Sequence, residues 1–323
     1  MGMAVHRGNA FLLLFVLAGM LAFTFRTSAG EEPSEDELAE LREASVQILN
    51  RALQEETEWV KVHAAEILVY NNYPEEVRPT FEAELEKDPP AEYRIGIWRV
   101  LAKAAGNDKR IRQKYFKKII AAFEDPAGPD REHAVETLAK LGYSDASPEV
   151  VAASRQQEGS MTAYARWVLA NSGSREYEAS LAGLLDSENP DARGVAGYAL
   201  RHLAGVAPEI LTKLRQAAET ENSLDDSWSR VYMLSALYVH SGADEYKAQK
   251  DYAKTELLEY VQTGGKGEKN ELGCALAEAG DMSDLSTVKI LLEDPESDVR
   301  VYAANAVLRI ARQDVRGLRT NQP

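Results

Sequence analysis

The side chains of this sequence that could do chemistry are few, and their spacing is informative. Beyond residue 29 the chain has four histidines: His63, His133, His202 and His240. His63 stands three residues before Glu66, and His133 three before Glu136. A carboxylate and an imidazole on one helix face is an arrangement that can move a proton or start a metal site. Neither pair belongs to an HxH or HExxH pattern, so the spacing of a metal centre is missing. Cys274 is the single cysteine and sits between Gly273 and Ala275, where it reads as a small core filler. The stretch GGKGEK at 264–269 lacks the spacing and Lys-Ser/Thr ending of a phosphate loop and reads as a flexible link. No GxSxG elbow occurs. The expectation is therefore no catalytic residue, no metal ligand and no cofactor-binding residue.

Two sets of residues suit binding better. Tyr164 lies three residues before Trp167, and His202 four after Tyr198, so each pair shares a helix face. Trp167 and Tyr198 hold the same place in consecutive copies of a repeat, so neighbouring helices bring all four together. Such a set could be an aromatic contact patch for a peptide or sugar. Packing between adjacent helices is the plainer reading. The second set is the stretch 107–120, NDKRIRQKYFKKII, which has six basic residues in an acidic protein. Arg110, Lys114 and Lys117 follow helical spacing there and could meet acidic groups of a partner; a solvated face is the plainer reading.

The elements that carry these residues repeat. A basic residue, a small or apolar residue three later and an aliphatic residue seven later recur as Lys61/Ala64/Leu68, Arg94/Ile97/Leu101, Arg131/Ala134/Leu138, Arg193/Ala196/Leu200, Arg230/Met233/Leu237, Lys269/Leu272/Leu276 and Arg300/Ala303/Val307. An eighth copy, Thr162/Ala165/Leu169, lacks the cation. The aliphatic anchors are 31 to 39 residues apart. Offsets of 0, 3 and 7 fall on one helix face. Asn72, Gly142, Gly173 and Gly280 follow their anchors by four residues, as left-handed helix caps do. A second apolar-periodic segment separates most copies, so each unit reads as a helix–turn–helix that buries its faces only by stacking on its neighbours.

The period and the small-residue core of DVRVYAANAVL and DARGVAGYAL resemble HEAT repeats, nearest to the phycobilisome-lyase-type HEAT-like repeats. The resemblance covers about residues 37–311. It implies an all-α fold, a right-handed α-solenoid of about eight helical hairpins, with second helices lining the concave face. It also implies that Asp191, Arg193, Asp298 and Arg300 tie neighbouring units together. Lys61, Thr162 and Lys269 depart from that pattern. Some similar repeats act as chromophore lyases or lyase subunits.

The 323 residues carry a formal net charge of −15, which argues against nucleic acid and anionic membrane surfaces as partners. Arg7, the apolar run Ala10–Phe25 and the small residues before Gly30 have the layout of a secretory signal peptide cut after Ala29. The expected organisation is a signal peptide at 1–29, a short acidic linker at 30–36, the solenoid at 37–311 and a flexible tail at 312–323. The expected function is a secreted or periplasmic, non-catalytic scaffold that binds a protein or extended polymer along a groove. A carbohydrate-binding accessory protein of the cell envelope and a lyase-like enzyme subunit are the alternatives.

Overall fold

The computed structural model describes residues 33–224 and 227–320, and these are all-α, with sixteen α-helices and no strand among them. The expected signal peptide lies outside the described residues.

Each copy of the repeat falls on one of eight helices: α2 (Glu58–Tyr70), α4 (Ala91–Ala104), α6 (Arg131–Lys140), α8 (Ser160–Ala170), α10 (Pro190–Arg201), α12 (Ser227–His240), α14 (Lys266–Ala279) and α16 (Ser297–Thr320). Consecutive members of this set pack on one another, and α16 packs back on α2. The helices between them are α1 (Glu35–Glu55), α3 (Val77–Leu85), α5 (Lys109–Glu124), α7 (Pro148–Ser154), α9 (Arg175–Gly183), α11 (Pro208–Leu224), α13 (Lys247–Thr263) and α15 (Leu285–Leu292). These form an outer layer, and α1 also packs against α16. The packing therefore closes on itself.

Residue size decides which layer a helix joins. The first set is rich in small residues that let backbones approach. A Cβ on Gly197 would stand 3.0 Å from the Met233 amide nitrogen, and one on Gly273 would stand 2.9 Å from Tyr302 Cβ. The α10 helix buries Ala192, Val195, Ala196, Ala199 and Leu200 around most of its circumference. An outer helix such as α5 buries only Tyr115, Ile119 and Phe123, one stripe, and leaves the rest to water. The repeat-bearing first helices thus form the inner wall. The expectation that the second helices would line the concave face is corrected.

The recurring cation is a structural clamp. Lys61 bonds Glu84 at 3.0 Å and Lys269 bonds Asp294 at 2.8 Å, while Arg193 pairs with Glu221 and Arg230 with Glu256; each ties an inner helix to an acid on or just after the outer helix that follows. Arg131, Arg193 and Arg300 also donate to carbonyls of Phe123, Ser187 and Asp294, near the C-terminal ends of preceding outer helices where carbonyls lack partners. Asn72, Gly142 and Gly173 take the left-handed backbone expected of helix caps, whereas Gly280 is extended. The ends differ from expectation as well. Helix α1 begins at Glu35, inside the expected linker, and α16 continues through the expected tail to Thr320.

The seam where the ring closes is polar. His63 Nδ1 lies 2.9 Å from Asp298 Oδ1, Asn71 donates to Asn305 Oδ1 at 3.0 Å, and Arg312 donates to the Asn71 carbonyl at 3.0 Å. Lys289 pairs with Glu37 of α1 on the outer layer.

Candidate ligand cavity

The inner helices surround a cavity of about 770 Å³. Each of the eight contributes to its wall. The repeat explains which residues do so. Counted from the cation position, offsets 2, 5 and 9 share the helix face that looks inward. Offset 2 supplies His63, Tyr164, Val195, Tyr232, Glu271 and Tyr302; offset 5 supplies Glu66, Glu136, Tyr198, Cys274 and Asn305; offset 9 supplies Tyr70, Lys103, Lys140, His202, Glu278 and Arg309. Short connections through the outer layer make the inner helices run parallel, so these offsets form three stacked layers. Most of these side chains are half-buried.

Most of the wall's ionic groups are paired with one another. Arg99 is buried and donates to both Glu66 oxygens, at 2.8 and 3.0 Å, and to Thr137 Oγ1 at 3.1 Å. Lys103 reaches the same Glu66 at 2.8 Å. Burial acts to raise the Glu66 carboxyl, but the Arg99 and Lys103 charges outweigh it and hold Glu66 well below the usual carboxylate range. Glu136 pairs with Lys140 at 2.7 Å and is lowered in the same way, against burial, by Lys140 and Arg99. Across the wall, Arg201 Nε lies 2.7 Å from Glu271 Oε1, and Arg201 also pairs with Glu278. Burial pushes Glu271 up despite Arg201.

Aromatic rings link these clusters. Tyr198 has Lys140 5.3 Å from its ring centroid and Arg201 at 5.7 Å. Trp167 stacks on His202 with centroids 5.1 Å apart and meets Tyr198 edge-on at 5.6 Å. His202 is held neutral by burial against protein and by the Arg201 and Lys140 charges; its exposed face opens on the cavity. Its Nε2 lies 3.1 Å from Arg201 Nη2 and accepts from it. Burial also pushes the hydroxyls of Tyr164, Tyr198, Tyr232 and Tyr302 upward, so all four are protonated donors. The Cys274 thiol is pushed up by burial, which keeps it protonated and weakly nucleophilic.

The expected aromatic set is brought together, with a division of labour. Tyr164, Tyr198 and His202 line the cavity. Trp167 does not; it is 1% exposed and forms core behind Tyr198. The basic set falls elsewhere. Arg110, Lys114 and Lys117 are exposed on the outer helix α5, and the first two flank a depression with Arg78 and Glu82. None of the three lines the cavity, although Arg112 of the same stretch does. Sequence reasoning passed over Trp228, Tyr232, Glu271 and Tyr302. Three of these share the offset of His63, which was the available signal.

The cavity runs the height of the inner wall. Trp228 lies two residues before its cation position and Arg309 nine after its own, a span of about 16 Å at ~1.5 Å per residue. Trp228 is 41% exposed at one end, and Tyr70, 57% exposed beneath Arg309, stands at the other. Among the described residues no group of His, Cys, Asp and Glu is placed to hold a metal ion, and no helix is long and apolar enough to cross a membrane. Comparison with protein-family models gives no match, and comparison with curated proteins gives no relative.

Proposed function

We propose that this chain is an exported, non-catalytic binding protein: a HEAT-like solenoid of eight helical hairpins, released after Ala29 to the periplasm or the outside, that holds a segment of an extended polymer or protein along its axis. The observation that carries this reading is the cavity itself, which extends from Trp228 to Tyr70 and ends in an exposed aromatic side chain at both mouths. Large exposed aromatics are what a binding mouth needs and what a closed core avoids. The non-catalytic part rests on the state of the ionisable groups. Glu66, Glu136 and Glu271 are held in ion pairs, His202 Nε2 is taken by Arg201, and Cys274 is protonated, so none is an activated base or nucleophile. The formal charge of −15 supports a partner other than nucleic acid.

The test is capture from an envelope extract of the host by the immobilised protein, beside a Tyr70→Ala, Trp228→Ala double variant that removes the exposed aromatic side chain at each mouth. Saturable capture that the variant loses, while its melting temperature stays near that of the parent, is the expected result. Equal capture by both proteins would move binding to the outer surface. Loss of capture at high salt alone would implicate Arg110, Lys114 and Lys117.

A further inference from the structure

We propose that the ligand of the axial cavity is a neutral saccharide, a short oligosaccharide segment lying between Tyr70 and Trp228; this rests on the cavity-binding reading above. The first observation is charge balance at the centre of the wall; Arg112 and Arg309 line the cavity outside these pairs, Arg309 over Tyr70 at one mouth. Glu66 is matched by Arg99 and Lys103, Glu136 by Lys140, and Glu271 with Glu278 by Arg201. An ionic ligand at this centre would have to break one of these pairs and leave a charge without its partner, which is costly. A hydroxyl-rich neutral ligand need not. A carboxylate has about four lone-pair sites, and the wall's ion pairs occupy only part of them. Sugar hydroxyls can donate to those left and accept from the protonated tyrosines.

The second observation is the placement of flat rings. Tyr164, Tyr198, Tyr232 and Tyr302 come from α8, α10, α12 and α16, and Trp228 stands at the mouth of this aromatic side. Tyr232 is fixed edge-on by both neighbours, with centroids 5.3 Å from Tyr198 and 5.4 Å from Trp228. Pyranose rings offer C–H faces to aromatic surfaces and hydroxyls around their rims, so they use rings and ion pairs at once.

A peptide fits this wall less well. Extended peptides are read by main-chain pairing with a strand edge, and helical peptides by an apolar groove. The wall is helical, so its backbone groups are spent inside the helices, and its centre is ionic. The volume of about 770 Å³ lies within the ~300–1,000 Å³ of small-molecule sites.

The experiment is calorimetric titration of the purified protein with neutral tri- and tetrasaccharides of the gluco, manno, xylo and N-acetylglucosamine series, beside oligogalacturonate and an uncharged tetrapeptide. Cys274, which lines the cavity, reports occupancy through its rate of reaction with a small thiosulfonate. Expected is saturable binding of at least one neutral saccharide, insensitive to salt, with slower Cys274 labelling and about tenfold weaker binding in Trp228→Ala and in Tyr232→Ala. Tyr232→Phe, which keeps the ring, should retain most of the affinity and guards against a folding artefact. Binding of oligogalacturonate or the peptide alone, with Cys274 protected, overturns the saccharide assignment and leaves the cavity reading standing. The saccharide assignment also falls, and the cavity reading stands, if partners captured from the envelope extract protect Cys274 and no saccharide binds. Saccharide binding that neither protects Cys274 nor responds to the two alanine variants overturns both.

Discussion

At the residue scale, the decisive contrast is between Trp167 and its cavity-facing neighbours. Trp167 packs its ring between Tyr198 and His202 and has almost no exposed surface. Trp167→Ala should therefore cost about 3–5 kcal/mol of stability, as removal of a buried aromatic does, and thermal or denaturant unfolding reads it directly. Tyr164→Phe should leave the melting temperature nearly unchanged, because its ring is kept and its hydroxyl meets the cavity. A second prediction concerns acid. Burial lowers His240 below its ordinary value near 6.5, and its Nε2 donates to the Leu200 carbonyl at 2.8 Å. The unfolded chain then takes up a proton before the folded one, so this stability is complete above about pH 6.5 and is lost as pH falls below it. His240→Gln keeps a donor for that carbonyl and should flatten the fall in melting temperature between pH 7 and 5. His202 is lowered too, but it opens on the cavity, where water screens it and blunts its share.

At the element scale, much of the site could be read from the repeat. His63 with Glu66, His133 with Glu136, and Trp167 with Tyr198 already stood at matching offsets, and those offsets are two of the three inward-facing layers. What escaped was the wall's other half. Trp228 precedes its cation position, in a place where most copies have no aromatic residue, so periodicity gave no reason to join it to the site. The reversal of inner and outer helices also escaped, because the resemblance to open solenoids suggested the opposite arrangement. The physical cue was present in the small residues of the first helices and the single apolar stripe of α5. Gly194 is the residue that seats Trp228: a Cβ there would fall inside the indole. Gly194→Ala should displace that ring without unfolding α10, since Ala favours helix by about 1 kcal/mol over Gly. Expected are an unchanged or slightly raised melting temperature, altered Trp fluorescence and weakened ligand binding. A lowered melting temperature with unaltered fluorescence would show that the backbone, not the ring, gives way.

At the scale of the whole molecule, closure changes how stability is distributed. In an open solenoid each unit touches only its neighbours, and the terminal units fray first. Here α16 meets α1 and α2, so neither end is free. Local pattern could not announce this, since His63 and Asp298 are 235 residues apart in sequence. Their meeting depends on the summed curvature of all the intervening units. Asp298 is the centre of the seam: it faces His63 at 2.9 Å, accepts from Asn270 at 2.9 Å and is 7% exposed. Burial acts to raise its carboxyl, but the His63 and Asn270 partners outweigh this and lower it, so it stays ionised in the folded ring. Hydrogen exchange should therefore find the amides of α2 and α16 as protected as those of α8 and α10. Asp298→Ala leaves both partners without their acceptor, a loss of about 1–3 kcal/mol. That loss should fall on α2 and α16 together, from opposite ends of the chain, while α8 keeps its protection. Exchange that accelerates in α16 alone would mean that the two ends are not coupled and that the molecule behaves in solution as an open stack.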